Sequence, residues 1–413
     1  MNLAVTAPTT PQVDLAPFVP KEVGHVKNHQ TDLPRIARDP RLTARIDAVL
    51  REIPTAHHLY CHDSRCLDFL EPESIHLVVT SPPYWTLKEY RDTEGQLGHV
   101  ESYEKFLGEL DTVWSHCLRA LVPGGRLIVV VGDVCLSRRN NGGRHRVVPL
   151  HASIQEHCRA LGFDNLAPII WHKIANAVHE VENGSGGFLG KPYEPNAVIK
   201  NDIEFILMQR KPGGYRSPSV PTRVLSVISA ENHRLWFQQI WSGLTGASTK
   251  HHPAPYPLEL ADRLVRMFSF VGDTVLDPFG GTGTTTLAAS RAGRNSISVE
   301  LDSEYFKLLQ GRLAESASDF FSKAAFMAHN ASAGAPMTGT GDTAIASSPE
   351  GIPSPAATCH ETQTTPFETL TINSATRSLS FHDARGRGSL DPPGRRSPDA
   401  LQGIQGVQGD ELR

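Results

Sequence analysis

An α/β fold, with a mostly parallel sheet covered by helices on both faces, is what this sequence predicts. Three observations carry the prediction. Apolar, β-branched runs alternate with amphipathic stretches of helical length along the middle of the chain. Glycine and proline punctuate that alternation at PGG (residues 123–125) and at Gly162. One apolar run, 274–276, passes directly into a Gly/Thr turn and then a helical stretch, the strand–turn–helix unit of parallel sheets. No internal repeat is present.

The elements follow in order. Residues 1–31 are rich in Pro and Thr with little periodicity, and read as disordered. A block of 32–324, large enough for one α/β domain with an insertion, comes next. It opens with a helix over 33–53, and the sequence does not decide whether that helix packs on the domain or meets a partner. Residues 74–80 (SIHLVVT) read as a buried strand, 102–121 as an amphipathic helix ending at PGG, and 126–134 as a strand. Residues 149–161 form a helix stopped by Gly162. An insertion of about 173–250 interrupts the series and contains a strand at 202–209. A helix at 257–268, the short strand at 274–276, a helix at 284–291 and a strand at 296–300 complete the block. From 331 onward, 37 of 83 residues are Ser, Thr, Pro or Gly, with no Trp or Tyr. Such a segment lacks the apolar surface to offset the entropy of ordering, so 325–413 reads as a disordered tail.

Composition bounds the function. The 413 residues carry 40 Lys+Arg and 44 Asp+Glu, a formal charge of −4. A case for a nucleic-acid partner must therefore rest on local charge. No apolar run approaches the ~20 residues of a membrane span, and the first residues lack a basic start followed by an apolar stretch. Six Cys are scattered without CxxC spacing, and His57-His58 and His251-His252 lack further ligands. Neither a disulfide framework nor a metal site is indicated, and a cytoplasmic protein is expected.

Two motifs carry chemistry. In Thr80-Ser81-Pro82-Pro83-Tyr84-Trp85, a buried strand ends in two prolines and two aromatics. Proline fixes φ and removes the backbone donor, and it holds the preceding residue out of the helical region. The result is a rigid corner at a strand's carboxyl end, where open α/β sheets bind ligands. It offers a serine hydroxyl, carbonyl acceptors and an aromatic face. The alternative is a plain Pro-Pro turn with Tyr84 and Trp85 as core. The second motif is Asp277-Pro278-Phe279-Gly280-Gly281-Thr282-Gly283-Thr284, where glycines permit a tight turn and close backbone approach to a ligand. Glu300 ends the next strand, at about the distance where an acid holds a ribose diol in Rossmann-like sheets. With no Lys in the loop, a Walker phosphate loop is excluded; a dinucleotide site and a bare Gly-rich turn remain.

Together the motifs resemble the amino-methylating DNA methyltransferases that use S-adenosylmethionine. TSPPYW precedes DPFGGTGTT by about 190 residues, similar to that family's β motif order. His252–Pro257 (HPAPYP) and Cys61-His62-Asp63-Ser64 extend the likeness over residues 60–313. The resemblance implies a Rossmann-like class I methyltransferase sheet on which the two motifs occupy neighbouring strands. It implies S-adenosyl-L-methionine held by Asp63, Asp277, Phe279, Gly281, Gly283, Thr284 and Glu300, and catalysis by Ser81, Pro82, Pro83 and Tyr84. The TSPPY form resembles the cytosine-N4 enzymes, whereas DPPY is more often adenine-N6. A C5-cytosine enzyme needs a Cys nucleophile after a proline, and no Pro-Cys pair occurs. Double-stranded DNA is the implied partner, and the enzyme is either paired with a cognate restriction endonuclease acting on the same site or solitary; the same fold acting on adenine N6, or on RNA, is the alternative. A non-catalytic DNA-binding module is the reading from another class, and the intact motifs argue against it.

The implied mechanism is direct transfer. Ser81 and the Pro82 carbonyl would accept hydrogen bonds from the target amino group, and Tyr84 would stack on a base flipped out of the duplex. Charge then locates the DNA. Residues 205–250 hold Arg216, Arg223 and Arg234 among six Lys/Arg against one acid, and Arg138, Arg139, Arg144 and Arg146 form a second basic loop. In the β order both stretches fall in the target-recognition region.

Overall fold

The computed structural model describes residues 13–85, 91–136, 141–173, 201–246, 256–317, 323–330 and 333–338. Two turns of 3-10 helix (Ala16–Phe18, Lys21–Val23) lead into α1 (His29–Arg38) and α2 (Pro40–Leu50). Strands β1 (Thr55–Cys61) and β2 (Ile75–Thr80) follow, then α3 (Tyr103–Ala120) and β3 (Leu121–Val131). Next come the short strands β4 (Val134–Leu136) and β5 (Arg146–Val148), α4 (Leu150–Leu161) and β6 (Asp164–His172). After β7 (Ile203–Arg210) come α5 (Val220–Leu225), α6 (Ala230–Trp236) and β8 (Ile240–Trp241). The series ends with α7 (Leu258–Phe268), β9 (Thr274–Asp277), α8 (Thr284–Arg291), β10 (Asn295–Glu300), α9 (Ser303–Ala317), β11 (Ala324–Asn330) and β12 (Ala333–Thr338).

Ten strands form one sheet in the order β12-β11-β1-β10-β9-β2-β3-β7-β6-β8. From β11 through β3 every neighbouring pair is parallel. Strand β7 runs antiparallel to both β3 and β6. Side chains alternate across the central strands, so each strand feeds two cores. Val78, Leu127 and Val129 pack with Phe106, Leu110, Trp114 and Ile154 of α3 and α4. Leu77, Val79, Ile128 and Val130 pack on the opposite face with Leu260, Leu264 and Ala288 of α7 and α8. The helical spacing read in the sequence thus has its physical cause in burial on both faces. Ser102 caps α3 by accepting from Lys105 N at 3.3 Å, and Gly162, at φ 106°, ends α4 in the left-handed conformation.

From β9 the chain moves to β10 on one side, and from β2 to β3 on the other. The connections diverge between β9 and β2, so a crevice opens there at the strands' carboxyl ends.

Three sequence expectations are corrected. Residues 13–31 are ordered: Leu15 and Val23 are buried with Ile36, Leu42, Ile46 and Val271 in a third core. These apolar residues are too widely spaced to give a periodic signal. The single helix expected over 33–53 is two, broken at Asp39-Pro40, where Asp39 Oδ1 accepts from Arg41 N at 2.9 Å. The first residues of the tail expected from 325 are strands, since β11 pairs in parallel with β1, and β12 pairs with β11. The rest of the tail, from 339, lies outside the described residues, as do 174–200 of the expected insertion and most of the HPAPYP stretch. Within that insertion, β7 is a member of the main sheet between β3 and β6, so 173–250 is not one separate excursion. Among the described residues no helix is long and apolar enough to cross a membrane.

Candidate active site at the carboxyl edge of the sheet

The two motifs, remote in sequence, meet at the ends of adjacent strands. Strand β2 pairs with β9 through Leu77–Val275 and Val78–Leu276. Beyond that register, Thr80 Oγ1 donates to Asp277 Oδ1 at 2.7 Å across 197 positions of sequence. Asp277 is buried, and three more donors reach its carboxylate: Thr285 Oγ1 at 2.7 Å, Tyr256 OH at 3.2 Å and Phe279 N at 3.1 Å. Burial pushes its pKa up, against the pull of those hydrogen bonds. Asp277 therefore ties the two loops together, with its oxygens directed into the protein.

The glycine turn after Asp277 is set by close contacts. Gly280 N donates to Val299 O at 2.8 Å, and a Cβ on Gly280 would lie 2.2 Å from Ser298 Oγ, so only glycine fits. Gly281 N donates to Glu300 Oε2 at 2.7 Å. Gly283, at φ 78°, starts α8 and packs against Leu309. Thr284 Oγ1 accepts from Arg312 at 2.9 Å.

A cleft lies between these loops. It is lined by Ser81 and Pro83 from the first motif, by Phe279 and Glu300, and by Asp63 and Tyr305. Its outer wall is Gly95-Gln96-Leu97. That wall is held by Arg65, which donates to Gly95 O at 3.4 Å and to Asp63 Oδ2 at 2.6 Å and Glu109 Oε2 at 2.8 Å. It is also held by Thr93 Oγ1, which donates to Asp302 Oδ2 at 2.7 Å. Glu300 is 8% exposed, and burial raises its pKa to about 7. The cleft thus offers a desolvated carboxylate, an aromatic wall from Phe279 and tight backbone turns. That donor and acceptor set suits a nucleoside with a ribose diol.

Of the residues expected to contact a cofactor, Asp63, Phe279 and Glu300 line the cleft. Asp277, Gly283 and Thr284 support it from behind, and Gly281 bonds directly to Glu300. At the catalytic corner Ser81 is half-buried and faces the cleft, with Pro82 and Pro83 buried behind it. Tyr84 is 5% exposed, so in this structure its ring is core rather than an open stacking face. Its hydroxyl lies 3.3 Å from Ser81 Oγ. Trp85 adopts a positive φ of 48° and donates Nε1 to Val100 O at 2.8 Å.

The DNA methylase family model for N6/N4 methyltransferases matches residues 75–311, spanning both motifs and the cleft. The chain belongs to this DNA methylase family. Two type II methyltransferases are each 35% identical to it: M.MjaI of Methanocaldococcus jannaschii and M.MthZI of Methanothermobacter thermautotrophicus. Each aligns over 63% of this chain, and over 92% and 77% of their own lengths respectively. A crystal structure of a putative DNA modification methylase from Thermus thermophilus, complexed with S-adenosyl-L-methionine, is 50% identical. It superposes with a TM-score of 0.55 over 67% of this chain and 99% of its own. The methylase is thus a type II DNA methyltransferase with a mixed α/β fold.

The basic residues of the methylase separate into two groups. Arg144 and Arg146 are exposed on the β4–β5 hairpin that leaves the carboxyl end of β3. Arg138 and Arg139 lie outside the described residues. Arg216 instead forms a two-pronged pair with Asp273, at 2.7 and 2.6 Å, beside the first residue of β9. Arg223 donates to Pro218 O at 3.1 Å near the same amino edge. The fold therefore removes Arg216 and Arg223 from the neighbourhood of Ser81. Arg234 is exposed on α6. Sequence reasoning missed Arg65, Asp302, Glu204 and Lys173. None lies in a motif; Glu204 and Lys173 acquire their places from tertiary pairing, while Arg65 and Asp302 add the distant partners Glu109 and Thr93 to local bonds.

Proposed function

We propose that the methylase transfers a methyl group from S-adenosyl-L-methionine to the N4 amino group of cytosine in double-stranded DNA. The observation that carries this reading is Ser81, a hydroxyl ahead of Pro82-Pro83, opening onto the cleft lined by Phe279 and Glu300. A cofactor-bound relative that is 50% identical supports the donor. S-adenosyl-L-methionine supplies an electrophilic sulfonium methyl when bound. Glu300 would accept from its ribose hydroxyls, Phe279 would wall its adenine side, and Asp63 with Arg65 would close the cleft.

The target nitrogen is conjugated with its ring, and its lone pair is a weak nucleophile. Ser81 Oγ and the Pro82 carbonyl accept its two N–H groups and so direct the lone pair into the cleft. Most of the rate gain then comes from positioning and preorganised acceptors rather than from a strong base. The paired amino group is inaccessible within a duplex, so the base leaves the stack to react. Arg144 and Arg146, exposed on the β4–β5 hairpin, supply phosphate contacts. A restriction endonuclease reading the same site is the proposed counterpart.

Base identity is tested by mass spectrometry of nucleosides from duplex DNA methylated in vitro. N4-methylcytosine is expected, and finding only N6-methyladenine would overturn the cytosine assignment.

A further inference from the structure

Four strand ends converge behind Ser81, and they bring in two charged residues that the reaction described above does not use. Strand β2 supplies Ser81 and Tyr84, and β3 supplies Val130 and, just beyond it, Gly132. Strand β7 supplies Glu204, and Lys173 directly follows β6. Lys173 Nζ donates to Glu204 Oε1 at 2.7 Å. The Tyr84 hydroxyl lies 3.3 Å from Glu204 Oε2 and 3.4 Å from Val130 O. Ser81 Oγ donates to Tyr84 OH at 3.3 Å. The Glu204 side chain is 13% exposed. Gly132 faces both partners: a Cβ there would stand 3.4 Å from the Tyr84 ring and 3.5 Å from Glu204 Cγ.

The direction of these bonds is set by charge. A phenol has one proton, and among the described residues two acceptors stand at nearly equal distance from it, a neutral carbonyl and a carboxylate. Hydrogen bonds to an ionised acceptor are roughly twice as strong as neutral ones, so the proton goes to Glu204. The phenol oxygen is then left to accept, and Ser81 turns its own single proton inward. The serine lone pairs consequently face the cleft. A serine that pointed its proton outward would meet the N–H donors of an amino group head-on.

We propose that Glu204, held by Lys173, is a positioning residue that acts through the Tyr84 hydroxyl to present Ser81 as an acceptor to the target amino group. The proposal rests on the reading that Ser81 accepts from that group. Lys173 fixes one carboxylate oxygen and leaves the other to Tyr84. Its ammonium is itself held 5.4 Å from the Trp171 ring centroid.

The test uses the full chain with duplex DNA and S-adenosyl-L-methionine, and compares Glu204→Gln, Tyr84→Phe and the double variant. Each single change should lower kcat about tenfold, as expected for one charge-assisted bond. The dissociation constant for S-adenosyl-L-methionine should stay within about twofold, since Glu204 lies outside that cleft. The double variant should be no slower than Tyr84→Phe alone, because both changes cut one chain. Unchanged kcat in Glu204→Gln, or losses that multiply to about a hundredfold, would overturn the proposal. If Glu204→Gln loses its melting transition, Glu204→Asp replaces it; withdrawing the carboxylate by one methylene should give the same loss of kcat. Ser81→Ala separates the two levels. Full activity there defeats the role of Ser81 itself, whereas an inactive Ser81→Ala with multiplying losses defeats only the role of Glu204.

Discussion

Asp277 and Glu300 end neighbouring strands, are both buried, and are put to different uses. Asp277 receives four donors from within the protein and has its carboxylate committed. Glu300 receives, among the described residues, two backbone N–H groups, from Gly281 and Asp302, and borders the cleft. Burial raises it from its ordinary 4.5 to about 7. In the ligand-free protein the folded state therefore holds this proton more tightly than the unfolded chain, so its contribution to stability falls as pH rises between those values. A diol that donates to the carboxylate needs the ionised form, so the sign reverses for binding. Affinity for S-adenosyl-L-methionine, measured by calorimetry, should weaken about tenfold from pH 8 to pH 6. Glu300→Gln should bind more weakly and lose that dependence; a pH-independent wild type would remove Glu300 from the ribose site. Glu300 was visible in the sequence because a strand end at a fixed distance from a glycine turn is a local pattern. The inward commitment of Asp277 was not visible, because its partners Thr80 and Tyr256 come from other segments. No local pattern shows which way a buried carboxylate points.

Elements were legible where burial leaves a periodic trace. The apolar runs that become β2 and β10, and the amphipathic faces of α3, α4 and α7, are legible to within a residue or two, whereas β3 begins at Leu121, five residues before the expected strand, and takes in the PGG expected to break the chain. Strand β1 (TAHHLYC) and β11 (AAFMAHN) escaped because their histidines and alanines do not look like strand cores. Their stability has another source. His57 stacks on Phe326 at 4.8 Å between centroids, and Tyr60 stacks on His329 at 4.4 Å. Burial lowers the His57 pKa to about 3 and keeps the ring neutral for that packing. A chain ending at residue 323 should therefore lose about 2 kcal/mol or more of stability from these aromatic pairs. One ending at 338 keeps both added strands and should melt above the chain ending at 323. Thermal unfolding of the two truncations checks this, and equal melting temperatures would show that the added strands do not stabilise the sheet.

At the scale of the whole molecule, a formal charge of −4 conceals an uneven distribution. Arg144 and Arg146 project from the carboxyl edge, where β2, β3, β9 and β10 gather the catalytic corner and the cleft. Arg216, counted with them in the sequence, neutralises Asp273 at the opposite edge. Sequence proximity grouped the arginines; the alternation of strand direction divided them. The catalytic corner and the cleft both lie at the carboxyl edge, with Ser81 where the two motif loops meet. The most direct measurement is methyl transfer to duplex DNA by Ser81→Ala, alongside S-adenosyl-L-methionine binding by the same preparation. Transfer should be lost while binding stays near that of the unaltered protein. Transfer at the full rate by Ser81→Ala would contradict the account.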